Sequence, residues 1–374
     1  MMNVDIVNKI NDSPYKAYVA IVGGGQTFIG NFCSISGASK TLVGATVPYD
    51  RNVFDKFVKE KMTEYASPLA ARKLALASFQ ECLAAGVDIK YAIGIGSANS
   101  IAYDGERDGR THKINVAVHA LEYTKVVTVV LQQFRLRIEE ENLISELIYK
   151  LLAKACYVNY ININEIPSGL LATETYDITF QSNDDVRQII LKNKILYVSN
   201  TNLINNTINI YSGSWRPIHD GHVQIHKLAE KILNESVFYE LTIHNADKGM
   251  LDYVDVNERV NQFYFTGRFE KYNYILTAAP TIKDKVIAIK HKYPNVNINI
   301  VMGVDTWIRV WDIRYGIPLD ELEIFFKNNN VKFLVFGRNG IVIDKTYGKD
   351  LLIESAEAAN FNMPISSSEI RNKK

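Results

Sequence analysis

Cysteine is scarce in this sequence, and long apolar runs are missing. The 374 residues include 3 cysteines, widely spaced and without a CxxC pair, which argues against a disulfide framework or a zinc ribbon and suits a reducing compartment. No stretch of about 18 apolar residues could span a membrane, and the first residues contain no apolar core of signal-peptide length. We therefore expect a cytoplasmic location.

An excess of charge of one sign is missing too. The 42 lysines and arginines nearly balance 41 aspartates and glutamates, so the net charge is +1. A field this weak favours neither nucleic acid nor an anionic membrane, and we expect small-molecule partners instead. What is present is typical of a globular protein, since 47% of the residues are hydrophobic and 22% are charged.

The chain is long enough for two hydrophobic cores, and its apolar pattern predicts two α/β domains. In the first, over residues 13–160, strand-like runs such as AYVAIVGGG and YAIGIGSAN alternate with helices. The clearest helix is SPLAARKLALASFQECLAAG, in which Ser67 is the expected N-cap, Pro68 the first helical residue and Gly86 the stop. This alternation predicts an α/β layer domain.

The middle of the chain, residues 161–205, is less periodic and rich in Asn, Thr and Asp. We predict a connector there, with one short helix (DDVRQIILKN) and one strand (ILYVS). The alternation resumes in residues 206–374 with the strand TINIYSG and the helix HVQIHKLAEKIL. It continues through the strands NINIVMGVD and VKFLVFGR, and predicts a second α/β domain.

A turn with two histidines lies where that first strand meets its helix, in SGSWRPIHDGH. Gly213 allows a ligand to approach the main chain, and Pro217 fixes the path of the loop. A helix that begins near Gly221 presents unpaired N–H groups and the positive end of its dipole, which together form an anion site. His219 and His222 can converge there and donate hydrogen bonds to phosphate oxygens.

Two other readings of these histidines remain open. His222 and His226 stand four residues apart on one helical face, as zinc ligands can, but HVQIH lacks the Glu of an HExxH site and no Cys or carboxylate cluster lies near it. A loop with a purely structural pair of histidines is the second alternative. The coincidence of two histidines, two glycines and a proline at one strand-to-helix joint favours the anion site.

GSWRPIHDGH resembles the GxFxPxHxGH signature of the HxGH nucleotidylyltransferase superfamily, which includes the nicotinamide- and nicotinate-mononucleotide adenylyltransferases. Three further segments follow in the order of that family: MGVDTW (302–307), FGR (336–338) and ISSSEIR (365–371), the last similar to the family's ISSTxIR. The resemblance covers residues 207–374 and implies a Rossmann-like domain with a parallel sheet. Two positions depart from the pattern, since Trp215 replaces the usual Phe and Arg216 the usual Asp or Asn.

The resemblance implies a role for each matching residue. The two histidines would bind the phosphates of ATP and stabilise charge as its α-phosphate is attacked, with Mg²⁺ carried by the phosphates. The serine run would donate hydrogen bonds to the β- and γ-phosphates beside a bidentate arginine. The implied catalytic residues are His219, His222 and Arg371, and the implied nucleotide-binding residues are Gly213, Ser214, Gly303, Asp305, Arg338, Ser366, Ser367 and Ser368.

The acceptor site is less well defined by the sequence. Lys248 follows a strand and could meet an acceptor phosphate, although a surface turn is equally compatible with the pattern. Trp307 could stack on an aromatic base such as nicotinamide, and a place in the core is its alternative. We take Lys248 and Trp307 as the candidate acceptor-binding residues.

The first domain resembles another family, the C-terminal domain of the competence-damage-inducible protein A family, which includes nicotinamide-nucleotide amidases. The resemblance rests on the glycines after the first strand, on SGAS (36–39) and on VPY (47–49). The family's serine nucleophile falls on Val22 and its lysine on Phe54, while Tyr49 is retained. Without a nucleophile and its activating base, covalent amide hydrolysis lacks its first step, so we expect a non-catalytic domain.

Together these observations predict a nucleotidyltransferase that transfers AMP from ATP to a phosphorylated acceptor and releases pyrophosphate. Nicotinamide or nicotinate mononucleotide is the predicted acceptor, which would place the chain in NAD biosynthesis. We also expect the chain to form a homo-oligomer. Three alternatives stay open: a cytidylyl- or adenylyltransferase with another phosphorylated acceptor, a nucleotide sensor without activity, and an amidase that still depends on Tyr49.

Overall fold

A computed structural model describes residues 4–103, 111–157, 165–245, 249–264, 271–312, 317–338, 341, 343 and 345–362. The chain divides into two compact units. The first comprises Met1–Asn183 and Asp252–Val254, and the second comprises Asp184–Leu251 and Asp255–Lys374. The boundary after Asn183 falls inside the segment predicted as a connector, residues 161–205.

The first unit is built on a six-stranded mixed sheet with the strand order β2-β1-β3-β4-β5-β6. Strands β1, β2 and β3 are parallel, and β4, β5 and β6 continue the sheet in antiparallel fashion. Its strands are β1 (Lys16–Val22), β2 (Leu42–Thr46), β3 (Ala92–Ala98), β4 (His112–Ala120), β5 (Thr124–Leu131) and β6 (Thr175–Gln181). Its helices are α1 (Val4–Asp12), α2 (Thr27–Cys33), α3 (Arg51–Val58), α4 (Pro68–Ala84) and α5 (Arg137–Ala155).

The helix signals read from the sequence of the first unit are confirmed at α4. The Ser67 side chain accepts a hydrogen bond from the Ala70 N–H, Pro68 is the first helical residue, and Gly86 has the left-handed φ of 83° that ends the helix. The largest core cluster of this unit packs β1, β3 and β4 against α5, with Val19 and Ile144 fully buried.

The second unit has a six-stranded sheet with the order β14-β13-β8-β9-β12-β7, parallel except for the edge strand β7. Its longer strands are β7 (Leu196–Val198), β8 (Thr207–Gly213), β9 (Val237–Thr242), β12 (Tyr274–Thr277), β13 (Asn297–Gly303) and β14 (Val331–Phe336). The short strands β10 (His244–Asn245) and β11 (Gly249–Met250) pair with each other. Its helices are α6 (Asp184–Ile190), α7 (Asp220–Leu233), α8 (Tyr253–Tyr264, which starts in the first unit), α9 (Ile282–Lys292), α10 (Val304–Val310), α11 (Leu319–Asn328) and α12 (Ala356–Ala359).

This strand order is that of a doubly wound fold. From β8 the chain moves to one side through β9 and β12, and then crosses back to β13 and β14 on the other side of β8. The crevice at the carboxyl ends of β8 and β13, where the direction reverses, is the usual ligand site of such sheets. The predicted α/β class, with a Rossmann-like parallel sheet in the second half, is confirmed.

The helix and the strand predicted within residues 161–205 are observed as α6 and β7, whereas β6 was not anticipated. The segment 161–205 is shared between the two sheets, because its residues 175–181 form β6 of the first and its residues 196–198 form β7 of the second. In β6, Tyr176, Ile178 and Phe180 alternate with Asp177, Thr179 and Gln181, so a strand pattern is present in the sequence although the side chains of this strand are mostly exposed. None of the helices in the described part of the chain combines the length and the apolar character that a membrane span needs.

Candidate active site

The histidine loop, residues 214–219, connects β8 to α7 at the point where the second sheet reverses direction. β8 ends at Gly213 and α7 begins at Asp220, so His219 is the residue that precedes the helix and His222 lies in its first turn. The sequence therefore placed both histidines correctly at a strand-to-helix joint. The fold adds that this joint lies beside the carboxyl end of β13.

Trp215 anchors the histidine loop in the core of the unit. Its side chain is 1% exposed, and its indole N–H donates to the Glu240 main-chain oxygen at 2.8 Å. The ring lies 5.1 Å from that of His222 and 4.8 Å from that of Tyr239. A Cβ added at Gly213 would come within 2.6 Å of the Trp215 ring, so a residue without a side chain is needed there. The tryptophan that departs from the family pattern is thus a packing residue.

Side chains of helix α8 form hydrogen bonds with the main chain of the same loop. The Arg259 guanidinium donates to the Ser214 main-chain oxygen at 3.0 Å. The Gln262 side chain accepts a hydrogen bond from the Ile218 N–H at 2.7 Å and donates to the Trp215 main-chain oxygen at 3.2 Å. These three bonds fix the loop at both ends, and neither Arg259 nor Gln262 was identified from the sequence. The sequence gives little indication of their role, because two polar residues three positions apart are common on any exposed face of a helix.

The imidazoles of His219 and His222 are stacked, with ring centroids 3.7 Å apart and planes inclined by 22°. Nδ1 of His222 accepts a hydrogen bond from the His219 main-chain N–H at 3.3 Å, so the proton of the neutral ring lies on Nε2. Burial lowers the pKa of His222 to about 3, with smaller contributions from His219 and Arg338. Burial, followed by Arg338, also lowers the pKa of His219. Both rings are therefore neutral N–H donors at pH 7.

Asp305 and Arg338 form an ion pair at the carboxyl ends of β13 and β14. Arg338 Nη1 lies 2.7 Å from Asp305 Oδ2, and both side chains are partly exposed. Gly303 and Phe336 are partners in the parallel ladder, which brings the two loops together. Since the Arg338 charge acts on the pKa of both histidines, these predicted site residues share one region. The Asp305 carboxylate is therefore paired with the Arg338 guanidinium.

A cavity of about 230 Å³ adjoins the histidine loop. Gly213 and Ser214, two of the predicted nucleotide-binding residues, line one side of it. The opposite side consists of side chains from the beginning of α9 and from α10. The remaining lining residues are Ser212, Thr242, Pro280, Thr281, Ile282, Lys283, Lys285, Thr306, Arg309, Val310, Asp312, Ile317, Leu322 and Phe326.

Below this cavity lies a buried polar cluster that was not identified from the sequence. The Glu240 carboxylate, 1% exposed, accepts hydrogen bonds from the hydroxyls of Ser212, Thr242 and Thr277 and forms an ion pair of 2.9 Å with Lys285. Buried charges of this kind are stable only when paired and hydrogen-bonded. A glutamate inside the apolar strand VFYELT is the one signal that could have pointed to it.

The prediction for Trp307 is wrong. Its side chain is fully buried and packs edge-on against Phe333 and Trp311 at 5.3 Å, so no acceptor base can stack on it. The core place given as its alternative is the observed one. The remaining predicted residues, Lys248, Ser366, Ser367, Ser368 and Arg371, lie outside the described residues.

His226 does not continue the site along α7. Its Nε2 hydrogen-bonds to the Val237 main-chain oxygen at 2.8 Å, and its ring stacks on Tyr239 at 4.5 Å. It is thus a core histidine and is not paired with His222 as a metal ligand. In the part of the chain that the structure describes, no three His, Cys, Asp or Glu side chains are grouped so that they could hold a metal ion.

In the first unit, the positions that would carry amidase chemistry are apolar or exposed. Val22 ends β1 and Phe54 is 1% exposed in the core, whereas Tyr49 is 62% exposed. The main-chain N–H groups of Gly25 and Thr27 both donate to the Glu141 carboxylate, at 2.5 and 2.9 Å. The glycine-rich loop therefore already binds an anion, one that belongs to the chain itself.

No family model matches the chain. A protein of Borrelia hermsii (strain HS1 / DAH) named "Probable nicotinate-nucleotide adenylyltransferase" is 25% identical over 174 residues, which are 44% of this chain and 84% of that protein. The solved Plasmodium falciparum nicotinic acid mononucleotide adenylyltransferase complexed with APC is 20% identical, with a TM-score of 0.32, and the match covers 45% of this chain and 83% of that one.

A competence-damaged protein (CinA) superfamily protein from Escherichia coli is 13% identical, with a TM-score of 0.31, over 41% of this chain and 87% of that one. A competence or damage-inducible protein from Enterobacter asburiae is similar to the same extent, at 13% identity and a TM-score of 0.31, over 41% of this chain and 94% of that one. Both families that the sequence resembles are thus among the proteins to which the chain is similar. The predicted resemblance to the nucleotidylyltransferases, and with it the predicted enzyme class of a nucleotidyltransferase, is confirmed by the Borrelia relative.

Proposed function

We propose that the chain transfers AMP from ATP to the phosphate of a mononucleotide, in NAD biosynthesis. The observation that carries this proposal is the stacked pair of neutral imidazoles at the start of α7, beside the Asp305–Arg338 pair and next to the cavity. In the reaction an oxygen of the acceptor phosphate forms a bond to the α-phosphorus, the bond from that phosphorus to the bridging oxygen breaks, and pyrophosphate leaves with the electron pair.

The residues act by position and charge. His222, whose Nε2 carries the proton, can donate to a phosphate oxygen without first losing a hydrogen bond inside the protein. The N-terminus of α7 and Arg338 add positive potential on the same side of the sheet, where the attacked phosphorus collects negative charge. The Asp305 carboxylate at this site is already paired with Arg338, so Mg²⁺ would be held chiefly by the oxygens of the triphosphate. The serine run 366–368 and Arg371 are proposed to bind the β- and γ-phosphates.

For the acceptor we propose nicotinate or nicotinamide mononucleotide, bound in the cavity beside Gly213 and Ser214. The proposal draws on the name of the Borrelia relative and on the position of the cavity next to the histidine loop. Transferase chemistry is assigned to residues 206–374. The first domain is proposed to have a binding, oligomerising or regulatory role, because Val22 occupies the position at which a nucleophile would be needed.

The test is a panel of ATP and CTP with nicotinate mononucleotide, nicotinamide mononucleotide, phosphopantetheine and a sugar phosphate, read by pyrophosphate release. We expect ATP with a pyridine mononucleotide to be the productive pair. His222→Ala should lower kcat/KM by about 10²–10³-fold, the usual effect of losing one preorganised donor. His291→Ala, the same change at an exposed histidine at the end of α9, is the matched control. Release that needs CTP or another acceptor would refute the substrate assignment, and no release with any pair would refute the enzyme.

A further inference from the structure

The floor of the cavity beside the histidine loop carries a buried ammonium group. Lys285 lies in the first turns of α9 and is 5% exposed, yet it is one of the residues that line the cavity. Its Nζ donates to Glu240 Oε2 at 2.9 Å and to Thr242 Oγ1 at 2.5 Å. An ammonium group has three N–H donors, so these contacts leave one for a ligand in the cavity.

Glu240, by contrast, has little capacity left to accept. Its Oε1 takes the hydroxyls of Thr242 and Thr277, and its Oε2 takes the Ser212 hydroxyl and the Lys285 ammonium. A carboxylate has about four lone-pair sites, and all four are used. The Lys285–Glu240 pair, which we call the floor of the cavity, therefore offers a ligand one donor and no free carboxylate oxygen.

The wall above this floor has the same polarity. Among the described residues that line the cavity, Lys283 and Arg309 are positively charged and Asp312 is the one carboxylate. The Lys285–Glu240 pair is neutral as a unit, so the charges that line the cavity sum to one positive charge. A group that enters must accept hydrogen bonds, and it gains if it is negatively charged.

We propose that Lys285, held in place by Glu240, determines acceptor specificity by contacting an anionic group of the acceptor other than the phosphate that is adenylylated. For a pyridine mononucleotide this group is the ring carboxylate, and the acid is selected over the amide. The carboxamide has an oxygen that Lys285 can reach, but its NH₂ group finds no free lone pair on the Glu240 carboxylate, and it lacks the negative charge. This inference rests on the proposed function for its choice of acceptor, while the donor-only floor is independent of it.

The variants must not leave a buried charge without its partner. Lys285→Met alone would strand the Glu240 carboxylate and could unfold the chain. We therefore pair the double variant Lys285→Met/Glu240→Gln, which removes both charges, with Thr277→Val, which removes one hydroxyl from the same network and keeps the ion pair. The ratio of kcat/KM for nicotinate mononucleotide to that for nicotinamide mononucleotide is the readout, because a partly inactive preparation lowers both values equally.

The wild type is expected to prefer the acid by about tenfold or more. Thr277→Val should retain the preference for the acid, and the double variant should bring the ratio to about one. Equal use of both acceptors by the wild type, or the same preference in the double variant, would overturn the proposal.

Calorimetric titration with the two mononucleotides, without ATP, separates this inference from the transferase itself. If no pyrophosphate is released but the acid binds about tenfold more tightly than the amide, and the double variant removes the difference, the proposed function fails and the specificity of Lys285 stands. If neither mononucleotide binds the wild type, or both bind equally, the inference fails whatever the activity.

Discussion

At the scale of single residues, the histidine loop depends on a glycine and a tryptophan that share one space. Gly213→Ala would place a Cβ 2.6 Å from the Trp215 ring, which has no room to move in the core. We expect the free energy of unfolding to fall by about 1–3 kcal/mol, as overpacking does elsewhere. Gly303→Ala is the matched control, because a Cβ there meets nothing within 4 Å, and its effect should stay within about 0.5 kcal/mol. Urea denaturation measures both, and equal effects would contradict the packing argument.

A second residue-scale prediction concerns the protonation of His222. Its folded-state pKa of about 3 lies below the ordinary value of about 6.5. The unfolded chain therefore takes up the proton first on acidification, and the contribution of the neutral ring to stability is complete above pH 6.5 and is lost as the pH falls towards 3. In an NMR titration the His222 ring should not titrate between pH 5 and 8 in the folded chain, and it should titrate in that range once the chain is unfolded by urea. A His222 midpoint above pH 6 would contradict the geometry.

At the scale of elements, α8 positions the loop that carries the histidines. Gln262→Ala removes the acceptor of the Ile218 N–H and the donor to the Trp215 oxygen. We expect a loss of about 1–2 kcal/mol in unfolding free energy and a fall of about tenfold in kcat, because small displacements of catalytic groups are costly. Gln262→Glu keeps the acceptor and should lose less of both. If Gln262→Ala lowered stability but left kcat unchanged, α8 would be a support for the fold alone.

Elements also show how far the sequence could lead. The joint of β8 and α7 and the cap of α4 could be predicted because Ser67, Pro68 and Gly213 have conformational preferences that act locally. β6 was missed although Tyr176, Ile178 and Phe180 alternate with polar residues, because the surrounding segment is rich in Asn, Thr and Asp and was interpreted as a connector. The Glu240 cluster could not be predicted, because its partners come from strands and a helix that meet only in the folded sheet. Trp307 shows the same limit, since its residue type suits stacking and core packing equally well.

At the scale of the whole molecule, the two units are expected to differ in chemistry. The first has Val22 where a nucleophile would be needed, and its glycine loop is bound by Glu141. We expect no ammonia release from nicotinamide mononucleotide. We also expect Tyr49→Phe, at a residue that is 62% exposed in the first unit, to leave pyrophosphate release within about twofold of the wild type. Coupled assays of ammonia and pyrophosphate on the two proteins check this. Ammonia release that disappears in Tyr49→Phe would show that the first unit is a working amidase.

The central claim is that the histidine pair stabilises charge on the α-phosphorus of ATP while the acceptor phosphate attacks it. The most direct measurement follows the label from ATP carrying ³²P at either the α- or the γ-position, with nicotinate mononucleotide as acceptor. Attack at the α-phosphorus predicts that the α-label appears in a dinucleotide and the γ-label in pyrophosphate, both at rates that fall together in His222→Ala. A γ-label found in the mononucleotide product, or an α-label that remains in ATP and ADP, would contradict the account.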